Sequence, residues 1–364
     1  MPHPQIENHT AFFADALHLV DEQFAPRLTV ATKATFDILP GGFLARAADQ
    51  RPLDLVGQFQ EPGAESSSYR YEPEVAPFKL ATDVVLVGHA HAPSPGTTRM
   101  DVGLRVGPLM RSLRVYGDRV WVRTLGSAVL TRPLPFERIP LCYERAFGGW
   151  DKGSADPQQW TCEPRNPVGR GFHGRRGRRR GPVLAPNLEY IEHPIRSPNH
   201  RPAPACFGFV SPHWQPRQKL AGTHDARWRT HRFPRLAANF DRRHHNAASA
   251  GLVAPGYLRG DEHVVTLGLS PEGHLGFALP GVPPPLVRVS LCKQLDHQPR
   301  SALDTIIIDL DDRRLTMIWR ASMLLPNGAH DVRAVEVTSP ASLALPRSDR
   351  SNPATRGANT CPSP

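Results

Sequence analysis

Proline constrains this chain most: 39 of its 364 residues are proline, about 11% where about 5% is usual. A proline inside a helix removes a hydrogen bond and clashes with the preceding turn, and within sheets it is confined to edges and strand ends. Spread this densely, it excludes an α-rich fold. The expectation is a mainly β protein with little helix, built from multi-stranded antiparallel sheets in a sandwich-like or barrel-like arrangement. Long Pro/Gly-rich loops should wrap them. A chain of this length holds roughly two ordinary domains or one large all-β domain.

The strand signals follow in order. LTVATKATFDIL (28–39) alternates and is rich in β-branched residues, and PGG (40–42) then turns the chain. FKLATDVVLVGHAHA (78–92) contains a continuous apolar run suited to a central strand buried on both faces. Residues 100–106 alternate, and SLRVY and RVWV flank Gly117-Asp118, a pair suited to a tight hairpin turn. β patterning returns from Leu258 and ends in TIIIDLDDRRLTMIWRASM, a hairpin turning at Asp311-Asp312. Near the start, Phe12, Phe13, Leu17 and Val20 have spacings that loosely fit a short helix capped by Thr10, though an irregular entry strand would read similarly.

Between Pro182 and Pro216 lie eight prolines, together with the anchors Phe207, Phe209 and Trp214. An extended, ordered wrap over the sheets is expected there, since linkers lack such anchors. The chain therefore divides into a sandwich-like part (1–135), a loop-rich central region (136–262), a C-terminal β part (263–338) and a disordered tail (339–364).

The formal charge is +10, which invites an acidic partner: nucleic acid, membrane or protein. Arg165, Arg170, Arg175, Arg176, Arg178, Arg179 and Arg180 concentrate it locally, in a glycine-containing stretch that reads as a solvated loop. The five cysteines contain no CxxC and frame no disulfide scaffold. The opening residues MPHPQIENHTAFF lack a secretory pattern, and no apolar run nears the ~20 residues that cross a bilayer. A soluble, cytoplasmic protein is expected, with no membrane partner.

Nine of the seventeen histidines fall between His173 and His263. His244-His245 beside Asp241 is the best metal candidate, with His224, Asp225 and His231 close in sequence. Adjacent strand residues face opposite ways, so one site would rarely use both. His89-x-His91 places two rings on one strand face without a third ligand. No GxSxG, HExxH or P-loop pattern is present. Asp304, Asp309, Asp311 and Asp312 read as solvated hairpin residues. No catalytic residue, metal ligand or cofactor is assigned.

What stands out is FERIPLCYERAFGGWD (136–151) followed by NPVGRGF (166–172). Gly148-Gly149 among aromatics marks close backbone approach, and the adjacent Glu144-Arg145 pair implies charges held against each other. Polar and aromatic residues of this kind recur through the middle: Glu144, Arg145, Trp150, Asp151, Asn166, Arg170, Phe172, Trp214, Asp225, Trp228, Asp241, Asn246, Asp261 and Glu262. Buried polar groups must be paired, so these residues either pin the loops to the sheets or present a rigid partner-binding surface.

The same stretches carry a resemblance. VATKATFDI (30–38), PFKLATDVVLVGHAHAP (77–93), VYGDRVW (115–121), PLCYERAFGGWD (140–151), NPVGRGF (166–172) and PNLE (186–189) are followed by AGTHDARW (221–228), RFPRLAANFDRRHHNAA (232–248) and YLRGDEHVVTLGLSPEGHLGFALPG (257–281). In this order, over about residues 10–338, the chain resembles cytoplasmic adaptor proteins encoded beside VgrG spike and PAAR-like tip genes in bacterial type VI secretion clusters. The resemblance implies a non-enzymatic adaptor or chaperone that binds a PAAR-like effector and promotes its loading onto the VgrG spike. It assigns no contact residue. His244-His245 stand where apolar or aromatic side chains would be expected, 173–180 falls where the family varies, and the tail is not covered.

The middle loops, about 140–262, are the expected binding surface, with 173–180 contributing to it. Two alternatives remain from other classes: a metal-dependent hydrolase using the histidine-rich middle, and a basic nucleic-acid-binding protein. No aromatic-interleaved basic ribbon supports the latter.

Overall fold

Alternation decides the central sheet. In the strand Pro26–Ile38 every residue from Leu28 onward is buried. Leu28, Val30, Ala34, Phe36 and Ile38 face the apolar cores, while Thr29, Ala31, Lys33, Thr35 and Asp37 alternate with them toward the other side. The computed structural model describes residues 6–63, 67–124, 127–173, 182–292 and 295–340. The arginine-rich stretch 174–181 and nearly all of the expected tail, 341–364, lie outside the described residues.

Pro26–Ile38 pairs antiparallel with Phe13–Val20 on one side and Arg314–Leu324 on the other. Ala302–Asp309 forms the expected hairpin with Arg314–Leu324, and Asp83–Val87 pairs parallel with it. With Leu44–Arg46 added, this is a six-stranded sheet. A five-stranded antiparallel sheet runs Leu188–Tyr190, Leu109–Tyr116, Arg99–Val106, His263–Leu267, His274–Ala278. One apolar cluster joins both sheets, from Phe36, Leu86, Ile308 and Trp319 to Leu104, Leu113, Val264 and Phe277. A smaller sheet (Ile6–Asn8, Val332–Thr338, Leu286–Leu291) packs Val287, Val289, Val335 and Val337 against Leu28, Val30 and Ala321. The fold is thus mainly β, with mostly antiparallel open sheets, and the two helices among the described residues are short, Arg217–Leu220 (α1) and Ala226–His231 (α2). Among the described residues no helix is long and apolar enough to cross a membrane.

Three expectations are corrected. Residues 13–20 are a strand, not a helix. Asp21 Oδ1 accepts from the N–H groups of Gln23 and Ala25, closing a hairpin that pairs Phe13–Val20 along its whole length. A lone short helix would have to bear its nucleation cost without packing. Gly117-Asp118 is not a hairpin turn, because Leu109–Tyr116 pairs with Arg99–Val106 and the next strand, Val120–Thr124, pairs with Ser127–Leu130. Glycine is required at 117 for a different reason: a Cβ there would lie 1.8 Å from the Leu134 carbonyl oxygen. Finally, Asp304 and Asp309 are buried. Asp304 pairs with Arg320, and Asp309 accepts from Tyr71 and Arg70, so only Asp311 and Asp312 occupy the solvated turn.

The run Asp83–Val87 is buried throughout, yet it ends the ladder rather than sitting at its centre. Its free edge is covered by the middle region: Val84 N donates to Leu252 O (2.9 Å) and Leu86 N to Phe207 O (3.1 Å). The Asp83 carboxylate is fully buried. It accepts from Lys79 Nζ (2.7 Å), Asn246 Nδ2 (3.1 Å) and the N–H groups of Ala247 (2.9 Å) and Ala248 (3.3 Å). Asp83→Ala strands the buried Lys79 ammonium and frees that loop. The expected loss is about 3–5 kcal/mol in urea unfolding; a loss below about 1 kcal/mol would show that the carboxylate does not hold the loop.

Candidate functional site

The middle region is built from two polar centres and an excursion. The first centre surrounds Asn166, which is fully buried. Its Nδ2 donates to Tyr143 O (2.8 Å) and Phe147 O (3.0 Å), and its carbonyl accepts from Gly149 N (2.8 Å). Gly148 has φ 154° and would place a Cβ 2.1 Å from Asn166 O, so no side chain fits. Phe147–Gly148 lies parallel to Arg170–Gly171, and Trp150–Asp151 pairs with Thr161–Cys162. Phe172 packs in a small cluster with Trp121, Phe147 and Ile195, under the Arg201 guanidinium.

Glu144 and Arg145 do not face each other, which corrects the expected pair. The short helical turn Tyr143–Arg145 points them apart. Glu144 accepts from Ser68 N (2.6 Å) and Ser68 Oγ (2.8 Å), tying in a distant loop. Arg145 and Arg170 both approach Asp118 at 3.6 Å, and Arg170 Nε also donates to Glu144 O. Asp151 is buried and accepts from Gly153 N, while its neighbour Trp150 is exposed. Trp214 stacks edge-on to Tyr143 at 5.3 Å.

The excursion spans residues 217–245. Asp225 Oδ1 caps α2 through Trp228 N (2.8 Å), and Asp241 caps the turn Arg242–His245 through Arg243 N (2.9 Å). Trp228 is clasped between His224 and Phe233 and donates its indole N–H to Arg235 O. Asn246 returns the chain to the sheet by donating to Ala81 O (2.8 Å) and Asp83. Asp261 and Glu262 lie apart from both centres. Glu262 accepts from Arg259 N and Gly260 N, and Asp261 pairs with Arg259. Of the expected residues, Glu144, Arg145, Asn166 and Arg170 come together; Asp225, Trp228 and Asp241 form a second group.

Beneath the excursion is a cleft of about 360 Å³, the second polar centre. Thr305, Ile307, Ile318 and Arg320 form its floor, on the outer face of the six-stranded sheet; Glu72, Arg217 and His245 are among its walls. Its charges are paired. Arg217 bonds Glu72 and also donates to Val210 O and His244 O. Lys79 holds Asp83 and Thr305 Oγ1, Lys33 holds Glu74 at 2.7 Å, and Arg320 bonds Asp304 and Glu74 O. Burial lifts the Glu72 carboxyl above its usual range, against the pull of Arg217 and Lys79. Of these charged partners the sequence singles out only Asp304, and reads it as a solvated hairpin residue. The available signal was Lys79 and Asp83 flanking a buried apolar run, where a charge must find a counter-charge.

The arrangement suits holding a shape better than moving protons. Burial pushes the Cys206 thiol up to about 12 and the Cys142 thiol higher, so neither forms a thiolate readily. His89 is engaged by Asp311 at 2.8 Å. Among the described residues no three His, Cys, Asp or Glu side chains converge as a metal site. His244 and His245 serve as the aromatic residues expected at their positions: His245 packs edge-on to Phe78 at 5.3 Å and against Phe240 at 5.5 Å.

Burial, with His244 and Arg217 nearby, pushes His245 down to about 4; burial, with Arg217 and His213, does the same to His244. The folded chain therefore refuses protons that the unfolded chain accepts below about pH 6.5. This part of the stability is present above that value and is lost as pH falls toward about 4. His245→Phe keeps the ring packing and removes one of the two titrations. Its urea midpoint should fall less than the wild type's between about pH 7 and about pH 4.5; an equal fall would contradict the assignment.

No curated protein and no solved structure matches the chain. The profile of one bacterial family matches residues 23–320. That span contains the six-stranded sheet's long hairpin nearly to its end, both polar centres and the excursion. On that match the chain is a member of the DUF2169 family, described as an uncharacterized protein conserved in bacteria.

Proposed function

We propose that the protein is a non-enzymatic adaptor or chaperone that binds a PAAR-like type VI secretion effector in the cytoplasm and promotes its loading onto the VgrG spike. The observation that carries this is the ordered series of motifs from VATKATFDI to HLGFALPG, which resembles such adaptors and falls within the family-matched residues. The physical case supports it. Loops stiffened by proline and pinned by buried polar groups lose little freedom when a partner binds. An effector with uncovered strand edges or apolar surface gains from such a partner, since open edges recruit other chains.

Co-expression with a PAAR-like effector, and separately with VgrG, tests this. The expected result is a stoichiometric complex with the effector that raises the effector's soluble yield. If the chain purifies alone and the effector is equally soluble without it, the adaptor role is wrong, and elemental analysis for stoichiometric zinc would decide whether the hydrolase alternative revives.

A further inference from the structure

The charges of the middle region sort into two sets. Those lining the cleft are buried and matched. Those on the outside of the excursion are exposed and largely of one sign. Between Arg217 and His245 the sequence places eight lysines and arginines against Asp225 and Asp241 alone. Asp225 caps α2, and Asp241 pairs with Arg243. Arg242 bonds Glu22, and Arg232 donates to Leu236 O and Gln23 Oε1. Among the described residues no carboxylate pairs with Arg227, Arg229 or Arg235, and all three are exposed. Phe233 stands among them with 68% of its surface in solvent. Beside this face opens a surface groove of about 670 Å³ lined by Pro212, His213, Gln218, Lys219 and Thr223 among others, without an acidic side chain.

We infer that this basic face, with the groove beside it, is a docking surface for an acidic segment of a partner protein. The inference rests on the adaptor reading for the identity of that partner, and on charge complementarity for its chemistry. Exposed guanidinium groups without a carboxylate partner, on the same short excursion as an exposed aromatic ring, suit carboxylates interspersed with an apolar or aromatic residue, because arginine takes carboxylates in bidentate fashion. Rim charges of this kind mainly set association rate and salt dependence, while a central aromatic contributes affinity. Single-stranded nucleic acid fits less well. Its bases need aromatic faces laid out in succession, whereas Trp228 is flanked edge-on by His224 and Phe233 and its N–H is spent on Arg235 O.

The test uses full-length protein in which Arg227, Arg229 and Arg235 are all changed to Glu, and separately Phe233→Ser. Circular dichroism and melting midpoint should match the wild type, since none of these side chains is buried. With a PAAR-like effector, affinity should fall about tenfold or more in the triple variant, and wild-type affinity should weaken with rising salt. Binding within about twofold of wild type would overturn the inference while leaving the adaptor role intact. If the wild type itself captures no effector, the adaptor role fails, and a second arm tests the face alone. There a labelled peptide of about fifteen Asp, Glu and Tyr residues is compared with an oligothymidylate of similar charge. Peptide binding that is lost in the triple variant supports the inference; equal peptide binding by both proteins, or tighter binding of the oligonucleotide, overturns it.

Discussion

The structure depends on closing the free edge of Asp83–Val87. This strand ends the six-stranded sheet, and its five residues are all buried. An edge strand in that position carries backbone groups that water cannot reach and that no further strand pairs. The chain supplies the partners from far away in sequence, through Phe207 O, Leu252 O and the bridge from Asp83 to Val253. The buried Asp83 carboxylate then fixes the next stretch, 246–248, by three hydrogen bonds, and takes a fourth from Lys79. The prolines of 182–216 serve this arrangement, because an extended chain with few free N–H groups can lie along an edge and leave few donors unsatisfied.

The outer face of that sheet explains the buried charge. Thr29, Lys33, Thr35, Asp37, Thr305 and Arg320 are covered although they are polar, by the segment 44–79 and by the excursion. Covering them with loops alone would leave polar groups unpaired, so each covering loop brings a counter-charge or a carbonyl. Glu74 meets Lys33, Gln50 bridges Thr35, and Pro77 O accepts from Thr29. Such pairs are weak as net stabilisers but strong as specifiers of one arrangement, since breaking one leaves a buried charge or polar group unpaired.

Period-two patterning made the sheets legible. It located the strands within 28–39, 100–106 and the stretch from Leu258 onward, where one face is apolar, while a continuous apolar run located the strand within 78–92. It failed where tertiary pairing outweighed local pattern. FADALHLV reads as a helix by spacing but is a strand because Pro26–Ile38 offers it eight partners. Gly117 reads as a turn but answers to the Leu134 carbonyl. At the site, Gly148-Gly149 and Asn166 were readable because a glycine pair beside a buried amide has few other uses. Glu144 and Arg145 were misread as mutual partners, since neighbours on a one-turn helix diverge. Glu72 and Arg217 were missed because their pairing joins segments 145 residues apart, and Lys79 and Asp83, four apart, because the apolar run between and after them masks the pair.

Charge on the excursion follows from the same closure. Its base is fixed from below: Arg217 is held by Glu72, Val210 O and His244 O, and Asn246 by Ala81 O and Asp83. A second tether, from Arg242 and Arg232 to Glu22 and Gln23, joins its far side to the first hairpin's turn. With both ends and one flank anchored, the remaining guanidinium groups of Arg227, Arg229 and Arg235 project from a frame that cannot collapse to neutralise them. Like charges confined to one anchored segment raise the free energy of the unbound protein and release it when an opposite charge arrives. A flexible loop of the same composition would spread its charges and lose that difference, so rigidity and charge together suit the proposed docking of a partner that carries carboxylates.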